Sequence, residues 1–185
     1  DFHDNTSKLH LLNLLAKAYI TIIRGTPSIL QLMIIYYVIF KNVSVNIVLV
    51  GILAFGINSG AYVAEIIRAG FNSVLKGQKE AGYALGLSYF QIMHYIVFPQ
   101  AIKNSFPSIG NQLIVNIKDS SMLNVITVTE LYFQTTSVAG SNYRVMETFL
   151  VSAILYLILT TLASFLLNYL EKRMDSESSM KDFCS

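Results

Sequence analysis

The 185-residue sequence holds one cysteine, no tryptophan, three prolines and few charges. A single thiol closes no disulfide within the chain, and Cys184 stands in a polar C-terminal stretch. Charged residues are 13% of the chain, against roughly 25% in soluble domains. No basic stripe accompanies the net charge of +2, which argues against a nucleic-acid partner. There is no G-x-x-x-x-G-K-[ST] loop, so the chain itself binds no ATP. His3 and His10 stand at no metal-ligand spacing with cysteine or carboxylate, and no zinc site is expected. No Ser-His-Asp or Cys-His set emerges, so the reading is not an enzyme. The first residues, DFHDNTSKLH, are polar, without an initiating Met or a signal-peptide pattern. They read as the middle of a longer protein.

What is abundant is apolar sequence. Hydrophobic residues are 54% of the chain and the mean hydropathy is +0.53, so the natural solvent is a lipid bilayer. LLNLLAKAYITII and the charge-free residues 25–40 read as one long helical run, interrupted near Gly25 and Pro27. Residues 42–64 and 148–170 are uncharged runs of 23 each, past the roughly 20 that a spanning helix needs. Residues 104–117 are shorter and cross if VFPQAI is added. Backbone groups in lipid must bond within their own segment, so the expected fold is all-α, a polytopic membrane helical bundle. Tyr36 and Tyr37 read as interfacial belt residues.

Lysine and arginine set the orientation. Lys8, Lys17 and Arg24 accompany the first run, Arg68, Lys76 and Lys79 follow the second, and Lys172 and Arg173 follow the last. With positive residues inside, four spans result, both ends are cytoplasmic and residues 65–98 lie inside. One stretch complicates this count. Between Glu80 and Lys103 no residue is charged, which is long enough to cross and permits five or six spans. Yet it contains Gly82, Gly86, Gln91, His94 and Pro99.

Glu80-Ala81-Gly82, three residues, Gly86, nine residues, then Ile96-Val97-Phe98-Pro99 resembles the EAA loop of ABC importer permeases, E-A-A-x3-G-x9-I-x-L-P. Gly82 replaces the third Ala, weakening a helix by up to ~1 kcal/mol, and Phe98 replaces Leu. RGTP (24–27) with QLMIIYY, AYVAEIIRAG (61–70), GQKEAG (77–82), FPQAIKNSFPSIGN (98–111), KDSSM (118–122) and TEL (129–131) are similar to the polar amino-acid subfamily, with its histidine, glutamine, arginine and opine permeases. The similarity covers about residues 9–172. It implies a bacterial inner-membrane subunit with five spans in the complete fold, the first missing here. Residues 1–174 would form the transmembrane domain and 175–185 a polar, disordered tail.

The resemblance also implies partners. A separate cytoplasmic ATPase dimer would bind ATP and Mg, an extracytoplasmic binding protein would deliver the amino acid, and a second copy or a homologous permease would complete the path. No cofactor belongs to this chain. Residues 80–99 would form two short helices gripped by the ATPase, through Glu80, Ala81, Gly82, Gly86, Leu87 and Pro99. Small residues there let a partner backbone approach. Glu80 caps the first turn or meets a base, and Tyr83, Leu87, Phe90 and Met93 offer an apolar face. Gly86 permits the turn, Pro99 opens the next helix, and His94 reads as structural.

An amino-acid zwitterion needs donors for its carboxylate and acceptors for its ammonium. Lys118, Ser120 and Ser121 are candidates for the first. Asn58, Glu65, Gln112, Asp119 and Glu130 are candidates for the second. The competing reading makes these interfacial pairs, such as Glu65 with Arg68. Arg24, Gly25, Thr26 and Pro27 suggest a gate or a structural kink, with the kink preferred. Residues 119–142, with Asn142 and Tyr143, read as the docking surface for the binding protein. The alternative class is a secondary transporter or channel not driven by ATP.

Overall fold

The structure, a computed structural model, describes the backbone of residues 2–183 and the side chains of residues 10–174. Among the described residues two helices are long and apolar enough to cross a membrane, α3 (Ile47–Ser73) and α8 (Val145–Phe183, apolar up to Met174). The first run is not one interrupted rod. α1 (Phe2–Gly25) and α2 (Ser28–Ile34), the latter extended by a π-helical turn at Ile35–Ile39, are bent by 110°. Pro27 is the cause. It is extended, with φ −62° and ψ 133°, and proline also disfavours helix at the residue before it.

Packing fixes the directions. Asn58 of α3 bonds Gln31 of α2, and Leu32 and Ile35 share a core with Val50 and Ala54, so α2 runs antiparallel to α3. α1 meets α3 with the same polarity instead: the Tyr19 hydroxyl donates to the Ile57 carbonyl at 2.5 Å, and Arg24 lies 3.5 Å from Glu65. The outward path expected for residues 11–40 therefore belongs to residues 28–39 alone.

After α3 the chain makes a tight hairpin rather than a further span. α4 (Lys76–Ala84) ends at Gly86, and the helix restarts at α5 (Tyr89–Gln91). From there it continues through a π-helical turn, Ile92–Val97, into α6 (Phe98–Asp119). The continuous span that the uncharged stretch merely permits is ruled out, because the chain reverses at residues 85–88, as the EAA resemblance implies. Pro99 does not open a new helix either, since Val97 and Phe98 are both helical. Proline lacks the N–H that an α-helix would spend on the carbonyl four residues back, and the wider π turn lies directly before it. The Gln100 amide donates to the Ile96 carbonyl at 2.9 Å.

α6 is wedged between α3 and α8. Gly70 of α3 lies against Ala101 and Ser105, and Gly110 against Leu167 of α8. A 3₁₀ segment, Ser120–Ile126, covers the outer end of α3, and α7 (Leu131–Asn142) folds back along the start of α8. α8 carries on to Phe183, beyond Asp175 where a disordered tail is expected; side chains from 175 and residues 184–185 lie outside the described residues.

Candidate functional site

The reversal at Gly86 organises an exposed apolar hairpin between α3 and α6. Gly86 has φ +77°, a conformation that costs an L-residue roughly 1–2 kcal/mol. Its N–H bonds the Tyr83 carbonyl at 2.9 Å, and the Leu87 N–H bonds the Gly82 carbonyl at 3.1 Å. These two bonds are the Schellman closure of a helix C-terminus. Ser88 then caps the next helix: its hydroxyl accepts from the Gln91 N–H at 3.4 Å, and the Gln91 side chain accepts from the Ser88 N–H at 2.8 Å.

The hairpin closes on its own small residue. A Cβ on Gly82 would stand 2.8 Å from Ile92 Cγ1 and 3.1 Å from Ile96 Cδ1. Gly82 is buried, so its size serves the packing of α4 on the π turn and not the approach of a partner backbone. The apolar face is also redistributed. Leu87 and Met93 pack inward beside Ile92, Val97 and Val74. The exposed set is Tyr83, Leu85 (79% exposed), Tyr89 and Phe90 (76%). His94 joins this surface, its ring parallel to that of Phe90 at 6.1 Å. Glu80 and Ala81 are exposed, but Glu80 is the fifth residue of α4 and caps no first turn. Lys76, Lys79 and Glu80 place this hairpin in water, and a contiguous apolar patch in water marks an interface.

The other candidates are spread along the helix contacts. The Glu65 carboxylate accepts from Arg68 Nε at 2.8 Å and lies 3.5 Å from Arg24, whose guanidinium stands 5.6 Å from the Tyr62 ring centre. Asn58 donates to Gln31 Oε1 at 2.9 Å. Gln112 donates to Asn116, which donates to Ser59 of α3 at 2.8 Å. Glu130 caps α7, accepting from the Tyr132 and Phe133 N–H groups, and accepts from the Tyr156 hydroxyl at 3.1 Å. Lys118 is exposed at the outer end of α6; Asp119, Ser120 and Ser121 are half-buried beside it. The structure does not gather these eight residues into one site.

Arg24–Pro27 is the bend itself. Thr26 donates to the Ile22 carbonyl at 2.8 Å, and Gln31 donates to the carbonyls of Ile23 at 2.7 Å and Thr26 at 3.1 Å. Gln31 thus satisfies carbonyls left open where α1 stops. It is not among the sequence candidates. The signal is there, since it is the lone amide in the apolar run SILQLMII. Among the described residues no three His, Cys, Asp or Glu side chains are placed to hold a metal ion.

Apolar helices joined by polar contacts, with a water-exposed hairpin between two of them, define a polytopic helical membrane protein. The chain matches the binding-protein-dependent transport system inner membrane component family over residues 7–176, and it belongs to that family. It is 41% identical over 165 residues to the glutamine transport system permease protein GlnP of Escherichia coli K12, covering 88% of this chain and 75% of that one. It is 42% identical over 170 residues to the putative GlnP of Rickettsia prowazekii, covering 91% and 78%. The crystal structure of an amino acid ABC transporter with histidines superposes with a TM-score of 0.80 at 40% identity, over 86% of this chain and 75% of that one. An inward-facing MetNI methionine ABC transporter gives 0.70 at 20% identity over 85% and 73%, a likeness of fold alone.

The chain is therefore an inner-membrane permease subunit of an ABC amino-acid importer. It is not an enzyme; hydrolysis belongs to a separate ATPase, and a binding protein serves the outer side.

Proposed function

We propose that residues 76–97 are the surface gripped by a cytoplasmic ATPase dimer, which binds ATP and Mg, and that the cargo is a polar amino acid such as glutamine. One observation carries the coupling reading. The hairpin exposes Tyr83, Leu85, Tyr89 and Phe90, while Gly82, Ile92 and Val97 anchor it on the start of α6. A push on that patch moves α6, because α5, the π turn and α6 are one continuous helix. Glu80 and Ala81 flank the patch, Leu87 belongs to its anchor, and Pro99 follows the π turn that joins it to α6. The relatives' glutamine names support the cargo class. Residues 1–174 form the membrane domain, with 175–185 as a polar extension.

In this reading the permease pairs with a second copy or a homologous chain, and an extracytoplasmic binding protein docks near Asn142 and Tyr143, where Tyr143 is 89% exposed. Asn58, Glu65, Gln112, Lys118, Asp119, Ser120, Ser121 and Glu130 shape or support the path. The bend at Arg24–Pro27 is a structural kink beside it, braced by Gln31.

The test is a variant pair in the assembled importer. Glu80→Lys and Gly86→Val leave the chain in the membrane but reduce ATPase co-purification and ATP-driven glutamine uptake. Gly86→Asn, which tolerates positive φ, retains most of both. Wild-type uptake and co-purification in Glu80→Lys and Gly86→Val would refute the coupling surface.

A further inference from the structure

α6 carries its polar groups in an order that the importer assignment does not explain. Asn104, Ser108, Asn111 and Lys118 follow one another at steps of four, three and seven, and Val115 fills the missing register. At 3.6 residues per turn these positions fall within a stripe about 80° wide and about 21 Å long. All four polar residues are exposed. The flanking faces are occupied: Ala101, Ser105 and Asn116 turn to α3, and Gly110 meets α8. The face opposite the stripe is apolar, with Ile102, Ile109 and Leu113. The exposed polar groups of α6 are therefore concentrated on one side, while the exposed residue on the opposite side is the apolar Leu113.

Amide and hydroxyl groups facing hydrocarbon lose their water without compensation. The stripe must therefore meet water or another chain. Its inner end bears on the choice. A cavity of about 460 Å³ opens there, lined by Gly70, Ser73, Asn104, Ser105 and Ser108. That is room for a small polar solute. Asn104 donates to Ser73 Oγ at 2.8 Å across its wall. Amides and hydroxyls both donate and accept, so they can exchange bonds with either end of a zwitterion. Within the stripe no fixed charge lies between Asn104 and Lys118 to trap it.

We propose that the Asn104–Ser108–Asn111–Lys118 stripe is a wall of the translocation path, with the cavity beside Ser73 as its cytoplasmic exit. The inference rests on the importer reading. The experiment uses the full complex with ATPase and binding protein in liposomes, in a Cys184→Ser background. Single cysteines replace Asn104, Ser108 and Asn111 on the stripe, and Ile109 and Leu113 opposite. A charged, membrane-impermeant thiol reagent should modify the stripe cysteines severalfold faster than the other two, and L-glutamine with binding protein should slow the reaction. Asn111→Leu should lower uptake about tenfold with ATPase co-purification unchanged, whereas Leu113→Met should leave uptake intact. Equal reactivity on both faces would overturn the proposal. So would stripe cysteines that are unreactive and cross-link one permease chain to its mate, since the stripe would then be a subunit interface. Absence of ATP-dependent uptake in the Cys184→Ser parent would instead strike at the importer reading beneath it.

Discussion

Gly70 is where α3 and α6 come closest. A Cβ there would overlap the Ser105 hydroxyl and stand 2.6 Å from the Ala101 carbonyl oxygen, which is backbone and cannot swing away. Gly56, about four helical turns away on the same helix, has nothing within 4 Å of a built Cβ. Gly70→Ala should therefore destabilise the permease by roughly 1–3 kcal/mol through overpacking. Gly56→Ala should be neutral or stabilising by up to ~1 kcal/mol. Thermal unfolding of the two variants in detergent checks this, and equal shifts would contradict the packing account. In sequence the two glycines look alike. What separates them is which face of α3 meets α6. Glu130 teaches a similar lesson: as a lone carboxylate in TEL it suggests a ligand for an ammonium, yet its oxygens serve its own helix and Tyr156.

Among the elements, the bend between α1 and α2 carries the most structural information. Pro27 explains why helix stops but not the angle at which it restarts. Gln31 holds the angle, since its amide spans the carbonyls of Ile23 and Thr26 while its oxygen accepts from Asn58 of α3. Gln31→Leu has nearly the same size and removes all of these bonds, leaving Asn58 without its partner at 2.9 Å. The expected cost is about 1–3 kcal/mol, the usual penalty for stranding partly buried polar groups. A lowered melting temperature and faster protease cleavage near Gly25 would register it, whereas an unchanged melting temperature would show that Pro27 alone sets the bend. The hairpin at Gly86 was more legible. The resemblance carried by residues 80–99 implied the two helices, and Gly86 between them the turn. Which of Leu87, Phe90 and Met93 faces out was not legible, because α4 folds back on the π turn and claims the inner residues.

At the scale of the whole molecule, one chain presents open surfaces that a bilayer alone does not satisfy. α8 is only 6% buried over its apolar window, which suits lipid. The stripe on α6 and the aromatic hairpin do not suit lipid. The path proposed for the α6 stripe is walled on one side only, so that proposal calls for a second permease chain to close it. Native mass spectrometry of the purified importer should show two permease chains with two ATPase chains; a complex holding one permease chain would reject that arrangement.

By itself the sequence determined the solvent, the helical class and the family, because hydropathy and motif spacing are properties of residues in order. Helix contacts decided the rest. Whether a small residue makes room for a partner or for its own chain, whether an acid meets cargo or caps a helix, and which face of α6 stays polar and open all depend on which side of each helix its neighbours cover. That side is set by packing between residues far apart in the chain, such as Gly70 with Ser105 and Gly110 with Leu167, and no local pattern encodes it.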